Sequence, residues 1–243
     1  MKIKAVWLAN ALIVMAWCRL DASLQMPSDS CPLRPVESHA VYQFVAPEAV
    51  DVLRRQQTSA CAWIREGTPE TRQRRWSMAS QAMDARILRK GYCRGTQVNP
   101  QPLQQWDRSP SSKAVNQVFT TFCQNAGAPN ISLENLVDRA RWLRTEVFCQ
   151  VTRYFVDPGG WRGLLKPDAP SWQRLAETSS SLCTALRSRQ LAYGEAVYRW
   201  TQERLWVQEH LPNEIGVKAA SGLVASLKDA VEIVPKVLGL LPK

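Results

Sequence analysis

The sequence predicts an all-α, disulfide-stabilised protein: a helical bundle with a long antiparallel helical hairpin and a C-terminal amphipathic helix. Three observations lead there. Apolar residues recur at three- and four-residue intervals through most of the chain, with Pro, Gly, Ser and Thr standing where helices would start or stop. Only HAVYQFV, residues 39–45, offers a short strand. Six widely spaced cysteines follow an N-terminus that resembles an export signal.

Residues 1–22 are expected to form a signal peptide. Lys2 and Lys4 supply a positive start, AVWLANALIVMAWC an apolar run, and LDA a cut after Ala22. The run is shorter than the ~20 residues a membrane span needs. Bulky Trp17 argues against a lipoprotein site at Cys18. Cleavage would remove Lys2, Lys4, Arg19 and Asp21, taking the formal charge from +10 to +8. It would leave Cys31, Cys61, Cys93, Cys123, Cys149 and Cys183. Their gaps of 30, 32, 30, 26 and 34 residues contain no C-x-x-C and no nearby His pair. Disulfides in an oxidising compartment are therefore expected rather than a metal site.

Residues 23–45, with Pro27, Pro32 and Pro35, read as an extended arm. A basic helical hairpin over 46–94 follows. Its first helix starts at Pro47 and is closed by Gly67; its second has Thr68 as N-cap, Pro69 next, Glu70 in the first turn, and Gly91 as its stop. Residues 95–112 read as a Pro- and Gln-rich loop. Residues 113–210 are expected to hold the long hairpin. Ser132 caps a helix striped by Leu133, Leu136, Val137, Ala140, Leu143, Val147, Val151, Tyr154 and Phe155; DPGG at 157–160 ends it. A second pattern runs from Ser171 to about His210, with a break expected near Gly194. In residues 211–243, Val217, Val224, Leu227, Val231, Val234 and Leu238 form a stripe. With no aromatic residue and only +2 net charge, it suits a neighbouring helix better than a membrane surface.

Helix geometry also suggests disulfide pairs. A hairpin closed at Gly67 and Thr68 puts Cys61 near the turn and Cys93 ~35 Å away at 1.5 Å per residue, which excludes their union. Cys31–Cys93, Cys149–Cys183 and Cys61–Cys123 are the pairs then expected.

Catalytic chemistry is poorly supported, and an enzyme working on the cell envelope, such as a Glu-based glycan-cleaving one that needs no local motif, ranks third among the readings. His39 and His210, the two histidines, sit in no Ser, Cys or metal constellation, and nucleotide-loop and nucleophile-elbow patterns are absent. Acids such as Asp138 and Glu203 stand beside Arg141 and Arg204, which reads as solvated charge. No enzyme activity, cofactor or metal is expected. Residues 65–94 carry eight basic residues against three acidic ones. Within them Arg72, Arg75, Arg86 and Lys90 fall on one side of a helix, a candidate face for an anionic surface. The sequence NIS at Asn130 matches a glycosylation acceptor.

The expected function is that of an exported or periplasmic interaction protein, with a protein partner or a second copy as its target. At the level of architecture alone, the outline resembles accessory subunits of bacterial secretion and conjugation machines. A secreted cationic protein acting on anionic membranes is the alternative, and nucleic acid is disfavoured.

Overall fold

The computed structural model describes residues 31–104, 112–156, 169–216 and Ser221. The expected signal peptide and the stripe from Val217 to Leu238 lie outside them. The chain divides into two compact units, Met1–Pro32 and Leu33–Lys243, and every element named below belongs to the second.

The protein is all-α with disulfides. HAVYQFV is not a strand: two short 3-10 turns, Val36–Ser38 and Tyr42–Phe44, carry the chain instead. They sink Val36, Val41 and Val45 into the core as anchors, so no edge pairing is needed. Helix α1 spans Pro47–Arg65 and buries Val50, Leu53, Cys61 and Ile64, one face at helical spacing. Gly67 follows its end, where an added Cβ would lie 2.7 Å from the Thr71 hydroxyl.

Helix α2 spans Pro69–Tyr92 with Thr68 as N-cap. The Thr68 hydroxyl meets that of Thr71 at 3.2 Å, and no side-chain bond caps the backbone. Gly91 does not stop this helix. It is a contact glycine, since a Cβ there would come within 3.0 Å of the Val41 carbonyl oxygen and Cβ. The helix ends in a miniature hairpin that the sequence did not suggest. Strands β1 (Cys93–Arg94) and β2 (Gln97–Val98) pair antiparallel around Gly95, whose φ of +61° suits a tight turn. Asn99 then acts as a hub: its backbone N–H donates to Tyr92 O at 2.7 Å, and its buried side-chain amide donates to Gly91 O at 3.0 Å.

After the short α3 (Pro100–Leu103), helix α4 (Ser112–Ala126) buries Val115, Val118, Phe119, Phe122, Cys123 and Ala126. Tyr92 packs on Phe119 at 4.5 Å between ring centres, and burial pushes the Tyr92 phenol well above its ordinary pKa. The expected Cys31–Cys93 and Cys61–Cys123 pairs are overturned here, because Cys93 is bonded to Cys123 with their Cα atoms 5.4 Å apart. The β1–β2 hairpin turns the chain back so that the end of α4 lies beside the end of α2. Cys31 and Cys61 are disulfide-bonded as well.

Gly127 marks how tightly that corner closes. A Cβ on it would fall 2.0 Å from the Gly95 carbonyl oxygen and 2.5 Å from that of Cys123. Both are backbone atoms, which cannot step aside as a flexible side chain does. Gly127→Ala should therefore lower unfolding stability by about 2–3 kcal/mol in urea titration. An unchanged midpoint would show that the corner is looser than this.

Helix α5 spans Leu133–Val156, its start capped by Ser132 Oγ accepting from Asn135 N at 3.2 Å. Leu136, Ala140, Leu143, Val147 and Val151 are buried, but Leu133 is exposed. The 171–210 pattern resolves into α6 (Pro170–Arg187) and α7 (Tyr193–Ile215). The break comes just before Gly194, at Ser188–Ala192. Arg189 takes φ +59°, and the N–H groups of Gln190 and Leu191 both return to Ala185 O. That is the left-handed closure usually made by glycine.

Register shows the directions of these helices. Arg187 meets Glu146, Cys183 is bonded to Cys149, and Ser179 meets Thr152, so α5 and α6 are antiparallel. Arg174–Glu203 and Ser171–Glu214 make α6 and α7 antiparallel in turn. Glu203 thus reaches across to Arg174 on the neighbouring helix. Conversely, Asp84–Arg144 and Gln81–Arg141 keep a constant offset, so α2 and α5 are parallel.

Candidate functional site

The three helices α1, α2 and α5 leave an apolar groove of about 640 Å³ between them. Its floor is built from small or flexible side chains, Ala60, Ala79, Ala82, Met83 and Val137. Small residues keep the helix backbones close while leaving the groove unfilled. Around it stand Trp63, Met78 and Leu133, 39%, 54% and 43% exposed. They are three of the six large apolar residues exposed among the described residues, and all three line this one groove. Grouping of that kind distinguishes a contact surface from scattered apolar exposure.

One side of the groove is charged. Asp138 lies between two arginines, 3.1 Å from Arg141 on its own helix and 3.4 Å from Arg189 in the α6–α7 turn. The sequence pairs Asp138 only with Arg141. The second arginine is 51 residues away, and only the fold brings it in. Half-buried Arg86 adds a third guanidinium and Glu134 a second carboxylate, and burial pulls the Arg86 guanidinium below arginine's ordinary pKa.

The four basic residues expected to form one face have different duties. Arg72 donates to Gly67 O at 2.8 Å, and Arg75 donates to Trp63 O at 2.7 Å while lying 5.1 Å above the Trp63 ring. Both fasten the α1–α2 turn and orient Trp63 at the groove. Arg86 lines the groove itself, and Lys90 points to solvent. Arg89, from the same basic run, donates to Gly127 O and Ala128 O. Much of this positive charge therefore holds the fold together.

No protein-family model, curated protein or solved structure matches this chain.

His210 stacks on Trp206 at 4.1 Å, and Arg174 covers the same indole at 4.1 Å, a ladder that braces α6 against α7. His39 lies 3.7 Å from Asp84, which is held at 2.9 Å by Arg144. That separation is too long for a hydrogen bond. Burial lowers the His39 pKa, Asp84 opposes the shift, and Arg34 and Arg144 reinforce it. The folded protein therefore binds this proton less readily than the unfolded chain. His39 causes no loss above the unfolded pKa of about 6.5, and stability falls as pH drops below it. His39→Gln should flatten the decline in melting temperature between pH 7 and pH 5. A decline as steep as that of the native protein would remove His39 from the explanation. Among the described residues, no three His, Cys, Asp or Glu side chains cluster as metal ligands.

Proposed function

We propose that the protein is an exported, non-enzymatic interaction protein, an accessory or assembly subunit working outside the cytoplasm, which holds an amphipathic helix of a protein partner in the α1–α2–α5 groove. The observation that carries this reading is the grouping of Trp63, Met78 and Leu133 around one apolar channel beside Arg86, Arg141 and Arg189. A helix laid in such a groove would present an apolar stripe to the floor and acidic residues to the arginines. Trp63 is the natural anchor, being a large aromatic already held in place by Arg75. The disulfides fit an oxidising compartment such as the periplasm or exterior. Among the described residues no helix is long and apolar enough to cross a membrane.

The test uses two labelled helical peptides with the same apolar stripe, one with acidic and one with basic flanks. Fluorescence anisotropy should show saturable binding of the acidic peptide. Trp63→Ala with Met78→Ala should weaken it at least tenfold, as loss of a central anchor does. Equal binding of both peptides, or none by either, would overturn the groove reading. Leakage of anionic vesicles at the same protein concentration would instead favour the membrane-active alternative.

A further inference from the structure

A second cavity, of about 390 Å³, lies where α2 and α5 meet the α6–α7 turn. It adjoins the groove across the Arg141–Asp138–Arg189 bridge, since Arg141, Arg189 and Val137 line both. Three arginines and no acid are among its lining residues, Arg144 being the third. The neighbouring carboxylates, Asp84 and Asp138, neutralise only part of that charge.

Two residues that line this cavity, Arg144 and Tyr193, each carry a buried polar atom with no protein partner. Asp84 takes the Arg144 Nη2 at 2.9 Å, but the Nε–H of Arg144 is buried and unbonded. The hydroxyl of Tyr193 is likewise buried and unbonded. Leaving such a group unpaired is destabilising, so two around one cavity need a reason. The backbone supplies two more signs. Tyr193 opens α7, a helix of 23 residues whose N-cap, Ala192, offers no side-chain cap to the first-turn N–H groups. Arg189, which holds the left-handed conformation at φ +59° where glycine is usual, is among the lining residues.

We propose that this cavity binds a small organic oxyanion, a carboxylate or phosphate ester, whose oxygens accept from Arg144 Nε and the Tyr193 hydroxyl at the start of α7. An anion is favoured over a neutral guest because the charged side chains that line the cavity are all arginines, and its other polar side chains, Gln81, Thr145, Gln190 and Tyr193, are neutral. Val137, Ala140, Leu186 and Leu191 supply its apolar lining, which suits a ligand with an apolar body behind its anionic head. A lone bridging water, with a share of liquid volume near 30 Å³, would leave most of the space unused.

Calorimetry on the disulfide-intact protein tests this with inorganic phosphate, benzoate and the neutral analogue benzamide. Saturable binding of phosphate or benzoate is expected, with benzamide at least tenfold weaker than benzoate. Tyr193→Phe should weaken binding of whichever anion binds by at least tenfold while leaving the melting temperature equal or higher, since it deletes an unbonded buried hydroxyl. Arg144→Gln should also abolish binding, but it breaks the Asp84 pair, so Tyr193→Phe is the deciding variant. Absence of saturable binding by both anions, benzamide binding as tightly as benzoate, or undiminished affinity in Tyr193→Phe would each overturn the proposal. None of these outcomes depends on whether a peptide occupies the neighbouring groove.

Discussion

Replacing Cys149 and Cys183 together by alanine should lower unfolding stability by about 3.5 kcal/mol, which for a chain of this size moves the melting temperature by about 10 °C. The larger part comes from the unfolded chain. The bond spans a sequence separation of 34 residues, and opening that loop restores conformations the oxidised chain cannot reach. The native state loses something too. Both cysteines are buried, and the bond lies beside a small polar network in which Ser179 donates to Thr152 Oγ1 at 3.0 Å and Thr152 donates to Cys149 O at 3.4 Å. Two alanines leave a gap next to the buried Thr152 and Ser179 side chains. Urea titration of the double variant checks the figure. A change under about 1 kcal/mol would mean that the unfolded chain is already compact around this loop.

The helices were readable wherever a start signal and an apolar period coincided. Pro47, Thr68 with Pro69, and Ser132 mark real starts, and the Leu136–Val151 stripe is buried as its spacing requires. Misreadings arose where a residue type has two uses. Gly91 looks like a stop but serves close approach to Val41, a contact made across the chain. Val41 and Val45 look like half a strand but are anchors of a 3-10 segment. The two-residue strands of the 93–98 hairpin are too short to carry any period, so the turn that directs Cys93 to Cys123 left no trace to read.

The groove and the cavity were less legible for a different reason. Spacing along one helix reports which side of that helix is buried, whereas a groove is the space between three helices. Ala79 and Ala82 on α2 face Val137 on α5, and nothing in either segment announces the other. Nothing in the sequence sets Arg144 apart, because its partner Asp84 stands 60 residues earlier. Alanine-rich steps beside an isolated Trp or Met are the one local hint, and they occur too widely to have singled out Trp63 and Met78.

Phe148→Ala should be the most damaging single change, costing about 3–5 kcal/mol. Phe148 is 1% exposed and makes T-shaped contacts with Tyr193 at 6.1 Å and Trp200 at 6.4 Å between ring centres. It is thus the aromatic contact that ties α5 to both the first and the third turn of α7. Truncation removes the buried ring and leaves a void that two rigid aromatic side chains cannot collapse to fill. The same void frees Tyr193, so anion binding at the α6–α7 cavity should fall in the fraction of molecules that stay folded. Tyr198→Ala is the control, because Tyr198 is 51% exposed on the same helix and should change stability by about 0.5 kcal/mol or less. Paired thermal melts and near-ultraviolet circular dichroism separate the two variants. Similar melting temperatures would mean that α7 is held by its contacts with α6 alone, through Arg174–Glu203 and Ser171–Glu214, and that the Phe148 cluster contributes little.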